Sequence, residues 1–171
     1  MNHIILIGFM GAGKTTLGRR LAKRMNLKFI DTDDYVEARA GKKISDIFAE
    51  QGEACFRQME TDALRQLMKS AERCVIAVGG GLPVLECNRR LLKQLGTVVY
   101  LQTDIETLLN RLQGDTKRPK LQGGGLREKI EGLMAQRKEI YEETADAFVR
   151  TDHRSYEEIL QEIQESAARK L

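Results

Sequence analysis

Five short apolar runs punctuate the chain: Ile4-Ile5-Leu6-Ile7, Lys28-Phe29-Ile30, Val75-Ile76-Ala77-Val78, Thr97-Val98-Val99-Tyr100-Leu101 and Ala147-Phe148-Val149. Branched apolar runs of this length, bounded by turn residues, read as strands buried on both faces. The segments between them change period. Leu17, Leu21 and Met25 recur at helical spacing from Thr16 to Met25, with Arg and Lys on the other side. Thr32 to Ala40 reads as a helix stopped by Gly41, and Ser45 is placed to cap the next one. That helix carries Ile47, Phe48, Phe56, Met59, Ala63, Leu64 and Leu67 along one side, with a bend or break expected at Gln51-Gly52-Glu53. Leu85 to Leu95 follows, with Gly96 as its stop. Asp104 is placed to cap a helix to about Leu112, Leu126 to about Glu143 is helical again, and Ser155 caps a last helix. Strands alternating with helices predict βαβ units, a mostly parallel sheet and right-handed crossovers. Ligands of such sheets sit beyond the carboxyl ends of the strands.

The periodicity fails from Gln113 to Gly125. This stretch has three Lys/Arg residues, one Pro, four glycines and a single large apolar residue, Leu121. A loop this long inside a compact domain is functional or disordered. Without an apolar face it is expected to be mobile until ligands bind.

The first strand runs into Gly8-Phe9-Met10-Gly11-Ala12-Gly13-Lys14-Thr15, which fits G-x-x-x-x-G-K-[ST] in the strand–loop–helix context the motif needs. Glycines let bare backbone approach a ligand, and loop N–H groups with the helix N-terminus make a concave anion site. Lys14 supplies a point charge for β- and γ-phosphates, and the Thr15 hydroxyl suits Mg²⁺. The motif predicts a nucleoside triphosphate site.

Composition narrows the class further. At 171 residues the chain has the length of one α/β domain, and 42% hydrophobic with 31% charged residues is ordinary for a globule. Net charge is +3 with both signs interleaved, so no basic block suggests nucleic acid or membrane lipid. No apolar run approaches the length of a membrane span. Cys55, Cys74 and Cys87 lack metal-ligand spacing and read as reduced packing residues of a cytoplasmic protein.

Several polar positions carry candidate chemistry. Asp31 and Asp33 alternate at a strand end, where both carboxylates can reach a crevice or one can cap the following helix. Arg57 lies between Glu53 and Glu60 at helical spacing, which equally describes a salt-bridged helix face. The stripe Leu126, Ile130, Leu133, Arg137, Tyr141 is apolar except for one guanidinium. That cation either snorkels past the stripe or meets a buried anion. Gly79-Gly80-Gly81 can serve as a βα turn and can expose N–H groups to a ligand. Arg118, before Pro119, is a solvated loop cation or a lid arginine.

These pieces, in this order and spacing, resemble shikimate kinase almost end to end. The resemblance rests on the loop from Gly8 to Thr15, Asp31-Thr32-Asp33, Phe56-Arg57 with Glu60, Gly79-Gly80-Gly81, Arg118-Pro119, and Arg137 before Tyr141. It implies a P-loop, nucleoside-monophosphate-kinase-like three-layer α/β fold with a five-stranded, mostly parallel sheet. The single domain would have a core of residues 1–31, 71–111 and 126–171, a substrate-binding region at about 32–62 and a mobile lid at about 112–125. It implies transfer of the γ-phosphoryl of ATP to the 3-hydroxyl of shikimate, with Mg²⁺, by a monomer. Lys14, Asp33 and Arg118 would be catalytic, Asp33 as the base. Gly11, Ala12, Gly13, Lys14, Thr15 and Thr16 would bind ATP, together with Arg111, Arg118 and Arg154. Asp33, Arg57, Gly79, Gly80, Gly81 and Arg137 would bind shikimate, and Thr15 with Asp31, the latter through water, would hold the metal. Lys120 stands where the family more often has an aliphatic residue, and Gly123-Gly124-Gly125 reads as a hinge. Rival readings are another small-molecule P-loop kinase, such as a gluconate kinase, and a GTP-binding switch. The switch lacks its Asn-Lys-x-Asp motif in this chain.

Overall fold

A computed structural model describes residues 2–114, 119–121 and 123–169. Five strands form one sheet in the order β2-β3-β1-β4-β5: β1 His3–Ile7, β2 Lys28–Asp31, β3 Cys74–Ala77, β4 Gly96–Gln102 and β5 Ala147–Arg150. Every pairing is parallel. The sheet is therefore wholly parallel, where a mostly parallel one was expected. The helices are α1 Lys14–Met25, α2 Thr32–Ala40, α3 Ile44–Leu67, α4 Glu86–Leu95, α5 Ile105–Leu112, α6 Leu126–Thr144 and α7 Tyr156–Ala168.

The layers follow from strand alternation. Ile5 and Ile7 face a cluster with Leu64, Ile76, Val98, Tyr100, Ile130 and Tyr141, so α3, α4 and α6 cover that side. Ile4 and Leu6, with Val99 and Val149 of β4 and β5, face Leu17 and Leu21 of α1 and Ile159 and Ile163 of α7. A third, smaller cluster of Val36, Ile47, Phe56 and Ala63 ties α2 to α3. Among the described residues, no helix is long and apolar enough to cross a membrane.

Local sequence signals account for most boundaries. Ser155 caps α7 through a complete capping box with Glu158. Gly52 breaks α3 as expected, with φ 80° and ψ 172°, a backbone that suits only glycine. Ser45 does not cap α3: the N-cap is Lys43, and the Glu37 carboxylate from α2 accepts the Ile44 N–H at 3.0 Å. A distant side chain replaces the local cap. Asp104 occupies the N-cap of α5 and its carbonyl accepts the Leu108 N–H at 3.0 Å, but its carboxylate makes no cap bond and pairs with Arg150 instead. Cys74 is buried, Cys55 is half-buried, and Cys87 is exposed on α4. Cys74 packs as expected of all three, whereas exposed Cys87 does not. The stretch from Gln113 to Gly125 is not without packing either, since Leu121 is buried against the first cluster.

Gly96 ends α4, but its φ of 169° is ordinary extended backbone. Its necessity is steric. A Cβ there would lie 2.0 Å from the His3 carbonyl oxygen and 2.6 Å from the His3 nitrogen, on the strand it pairs with. Gly96→Ala should therefore destabilise the fold by about 3 kcal/mol or more, because only separation of β1 from β4 relieves the contact. Gly41→Ala, with φ 63° and nothing within 4 Å of the added carbon, should cost only about 1 kcal/mol. Urea unfolding of the two variants checks the difference. Equal midpoints would mean that Gly96 is dispensable.

Candidate active site

The loops after β1, β2 and β3 leave the same edge of the sheet, because all the strands are parallel. Asp31 closes β2 and also caps α2, its Oδ1 accepting the Asp33 N–H at 3.0 Å. Asp33 lies in the first turn of α2, so cap geometry brings the two carboxylates together and strand alternation does not. Thr32, fully buried between them, accepts the Gly79 N–H at 3.0 Å and ties the end of β2 to the glycine segment after β3.

Two clefts open at this edge. The first, of about 740 Å³, is lined by Gly11, Ala12, Gly13, Lys14, Thr15 and Thr16, with Arg111 and Arg154 on its far wall. Gly13 initiates α1 in the left-handed region at φ 94°, which directs the first turn of the helix at the cleft. Lys14 Nζ donates to the carbonyls of Gly8 and Phe9, each at 2.8 Å, and so lies across its own loop. Thr15 Oγ1 donates to Asp31 Oδ2 at 2.6 Å. Arg111 holds the loop from the other side, donating to the Gly11 carbonyl at 2.8 Å. Arg154 pairs with Glu162 and donates to the Arg150 carbonyl at 3.1 Å. His153 lines the same wall. His3 lies buried in the core, its Nδ1 accepting the Cys74 N–H, and burial holds its imidazole below the ordinary range.

The second cleft, of about 820 Å³, is bordered by Phe48, Phe56, Arg57, Glu60, Gly79, Gly80, Gly81 and Lys120. Thr15, Asp31, Asp33, Gly79 and Gly80 line both clefts. Glycine is needed here for approach. A Cβ at Gly81 would meet the Arg57 guanidinium at 2.3 Å, and one at Gly79 would meet Asp33 Oδ1 at 2.7 Å and Glu60 Oε1 at 2.9 Å. The Gly79 N–H is taken by Thr32, and the Gly80 carbonyl accepts from the Tyr141 hydroxyl at 2.5 Å.

Charge in the second cleft is layered. Arg57 pairs with Glu60 at 2.6 Å and with Glu53 at 3.1 Å, so the helix-face pairing readable in the sequence is present while the guanidinium also borders the cleft. Glu60 is 1% exposed, and burial pushes its carboxyl up to about 7, against the opposing pull of Arg57. Its role was not legible from spacing. The Arg57 partnership was, but not the burial. Arg137 does not snorkel: it is 4% exposed, with its guanidinium 5.9 Å from the Phe9 ring centre, and its Nη1 has no hydrogen-bond partner among the described residues. It stands behind the cleft rather than on its wall. Arg118 lies outside the described residues.

Comparison with known proteins identifies the family. The family model for shikimate kinase matches residues 10–168. A curated shikimate kinase of Chromohalobacter salexigens is 45% identical over 160 residues, covering 94% of this chain and 88% of the relative. The solved shikimate kinase of Acinetobacter baumannii in complex with shikimate superposes with a TM-score of 0.93 at 38% identity, covering 100% of this chain and 96% of that one. A gluconokinase from Sinorhizobium meliloti, 17% identical with a TM-score of 0.52 over 98% of this chain and 92% of its own, shares the fold alone. This chain belongs to the shikimate kinase family.

Proposed function

We infer that the chain transfers the γ-phosphoryl group of ATP to the 3-hydroxyl of shikimate, giving shikimate 3-phosphate and ADP, and that the two clefts divide the substrates. The observation that carries this reading is the shared wall of Thr15, Asp31, Asp33, Gly79 and Gly80. A nucleotide with its phosphates over Gly11–Thr15 and a small acceptor beside Phe56 and Arg57 would meet at Asp33. The acceptor oxygen forms the new P–O bond, the bond to ADP breaks, and Asp33 takes the hydroxyl proton. Phosphoryl transfer has a loose transition state, so Asp33 acts mainly by aiming its nucleophile. In this reading the protein works as a cytoplasmic monomer, without nucleic acid or membrane. A coupled ADP-release assay against shikimate, gluconate and nucleoside monophosphates tests the acceptor. Turnover with gluconate but not shikimate would overturn the assignment.

Lys14, Thr15, Thr16 and the backbone of Gly11, Ala12 and Gly13 would hold the phosphates, with Arg111 and Arg154 towards the base. Thr15 Oγ1 and Asp31 Oδ2 are hard oxygens side by side at the end of the loop, a donor pair that fits Mg²⁺, with Asp31 acting through water. When bound, Mg²⁺ neutralises charge on the β- and γ-phosphates. Lys14→Ala should cost several powers of ten in kcat in a folded protein, since its cation serves the transferring phosphoryl. Asp33→Asn should keep ATP binding and lose most phosphoryl transfer, whereas Asp31→Asn should shift the Mg²⁺ titration. A metal shift confined to Asp33→Asn would reverse these roles.

Arg57 and Arg137 would read the substrate carboxylate, as guanidinium forks match carboxylates well. The unpartnered Nη1 of buried Arg137 supports this, since an unmet buried donor is costly and an anion would satisfy it. Arg57→Ala and Arg137→Ala should each raise the KM for shikimate by about tenfold to a hundredfold with little change for ATP. An analogue lacking the carboxylate should bind the wild type correspondingly worse. Equal binding would mean that neither arginine reads that group.

Residues 112–125 would form the lid, Gly123-Gly124-Gly125 its hinge, and Arg118 would stabilise phosphoryl charge. Arg118→Ala should lower kcat far more than it changes the KM for shikimate. Hydrogen-exchange protection of residues 113–125 should rise with ADP plus shikimate. Identical protection in both states would make the segment a passive connector.

A further inference from the structure

Lys120 lies in the segment read as the lid, and its side chain borders the acceptor cleft. Its Nζ stands 2.9 Å from Glu53 Oε1, and that same oxygen accepts from Arg57 Nη2 at 3.1 Å. The other arm of Arg57 donates to Glu60 Oε2 at 2.6 Å. Four side chains thus alternate in sign from surface to interior: Lys120 and Glu53 are 36% and 44% exposed, Arg57 and Glu60 only 13% and 1%. Leu121 is buried beside Lys120, and the break at Gly52 immediately precedes Glu53.

We propose that Lys120 is a positioning residue for the acceptor, which holds Glu53 and so leaves the Arg57 guanidinium available to an incoming carboxylate. This rests on the reading that Arg57 binds the carboxylate of shikimate. Without Lys120, no cation on the outer side would share Glu53, and Arg57, with Arg137 behind it, would answer two carboxylates while the substrate brought a further negative charge. With it, the cluster is neutral when Glu60 is ionised and positive when Glu60 is protonated. The contacts to Lys120 and Arg57 hold the Glu53 carboxyl below its usual range, as an anion shared by two cations requires. The outer pair itself is too exposed to add much to stability. Its consequence is the charge offered at the cleft.

The test is steady-state kinetics with calorimetric binding of shikimate. Lys120→Met should raise the KM and Kd for shikimate about threefold to tenfold, with kcat and the KM for ATP within about twofold. Lys120→Arg should restore the wild-type values. In a Glu53→Gln background, Lys120→Met should have no further effect, because the anion it manages is already neutral. An unchanged shikimate KM in Lys120→Met overturns the proposal, as does an equal loss in the Glu53→Gln background, since either shows that Lys120 does not act through Glu53. If the wild type itself fails to bind shikimate, the acceptor assignment falls and this inference falls with it. Binding by the wild type with no response in Lys120→Met removes the inference alone.

Discussion

The hydrogen bond from the Gly79 N–H to Thr32 Oγ1 fixes the relation on which the rest of the site depends. It joins the end of β2 to the segment after β3 at a fully buried point, so the two loops cannot drift independently. Its neighbours in sequence carry the chemistry: Asp31 and Asp33 flank the threonine, and Gly80 and Gly81 follow the glycine. The parallel pairing of β2 with β3 brings Asp31 level with Ala77, which sets the distance the bond must span. A buried backbone donor left unmet would cost about 1–3 kcal/mol, so of the glycine segment's N–H groups the first is committed to this contact. One is spent on structure while the neighbouring backbone borders the cleft.

Electrostatics then separates the two clefts. The nucleotide side is built from backbone: loop amides, a helix N-terminus and a lysine that lies across its own loop carbonyls. The acceptor side is built from side chains with opposed charges stacked inward, Arg57 between Glu53 and Glu60, and Arg137 behind them. Backbone dipoles recognise phosphate with little dependence on what else the molecule carries. Guanidinium forks suit a planar anion of matching geometry. The fold is shared with a gluconokinase at 17% identity, and a shared fold does not fix the site: here the second cleft is lined by residues of α2 and α3, the glycine segment after β3 and Lys120.

Burial decides how these charges behave. Glu60 and Arg137 are nearly inaccessible, where each charge needs a partner or a shift. Glu60 has Arg57 and a carboxyl raised to about 7. Arg137 has an aromatic face and, among the described residues, one nitrogen without a hydrogen-bond partner. The interior behind the second cleft thus holds both a buried carboxyl and a buried guanidinium, a state that apolar packing alone would not sustain.

The alternation of apolar runs with helical stripes determined the sheet, its helices and the edge at which ligands collect, because strand burial and helix periodicity are local properties of the chain. The phosphate loop was equally legible, since its glycines, lysine and threonine are contiguous. Tertiary structure decided what depends on distant partners. The cap of α3 comes from Glu37 and not Ser45, Gly96 is required by the backbone of His3, and Asp104 turns away from its helix to Arg150. Cys87 lies in the open although its neighbour Asn88 is fully buried. The same holds in the site, where Glu60 reads as a surface partner of Arg57 until α3 packs it beneath the glycine segment. Sequence spacing reports which residues share a helix face. Whether that face meets water or another part of the chain is settled only by what folds against it.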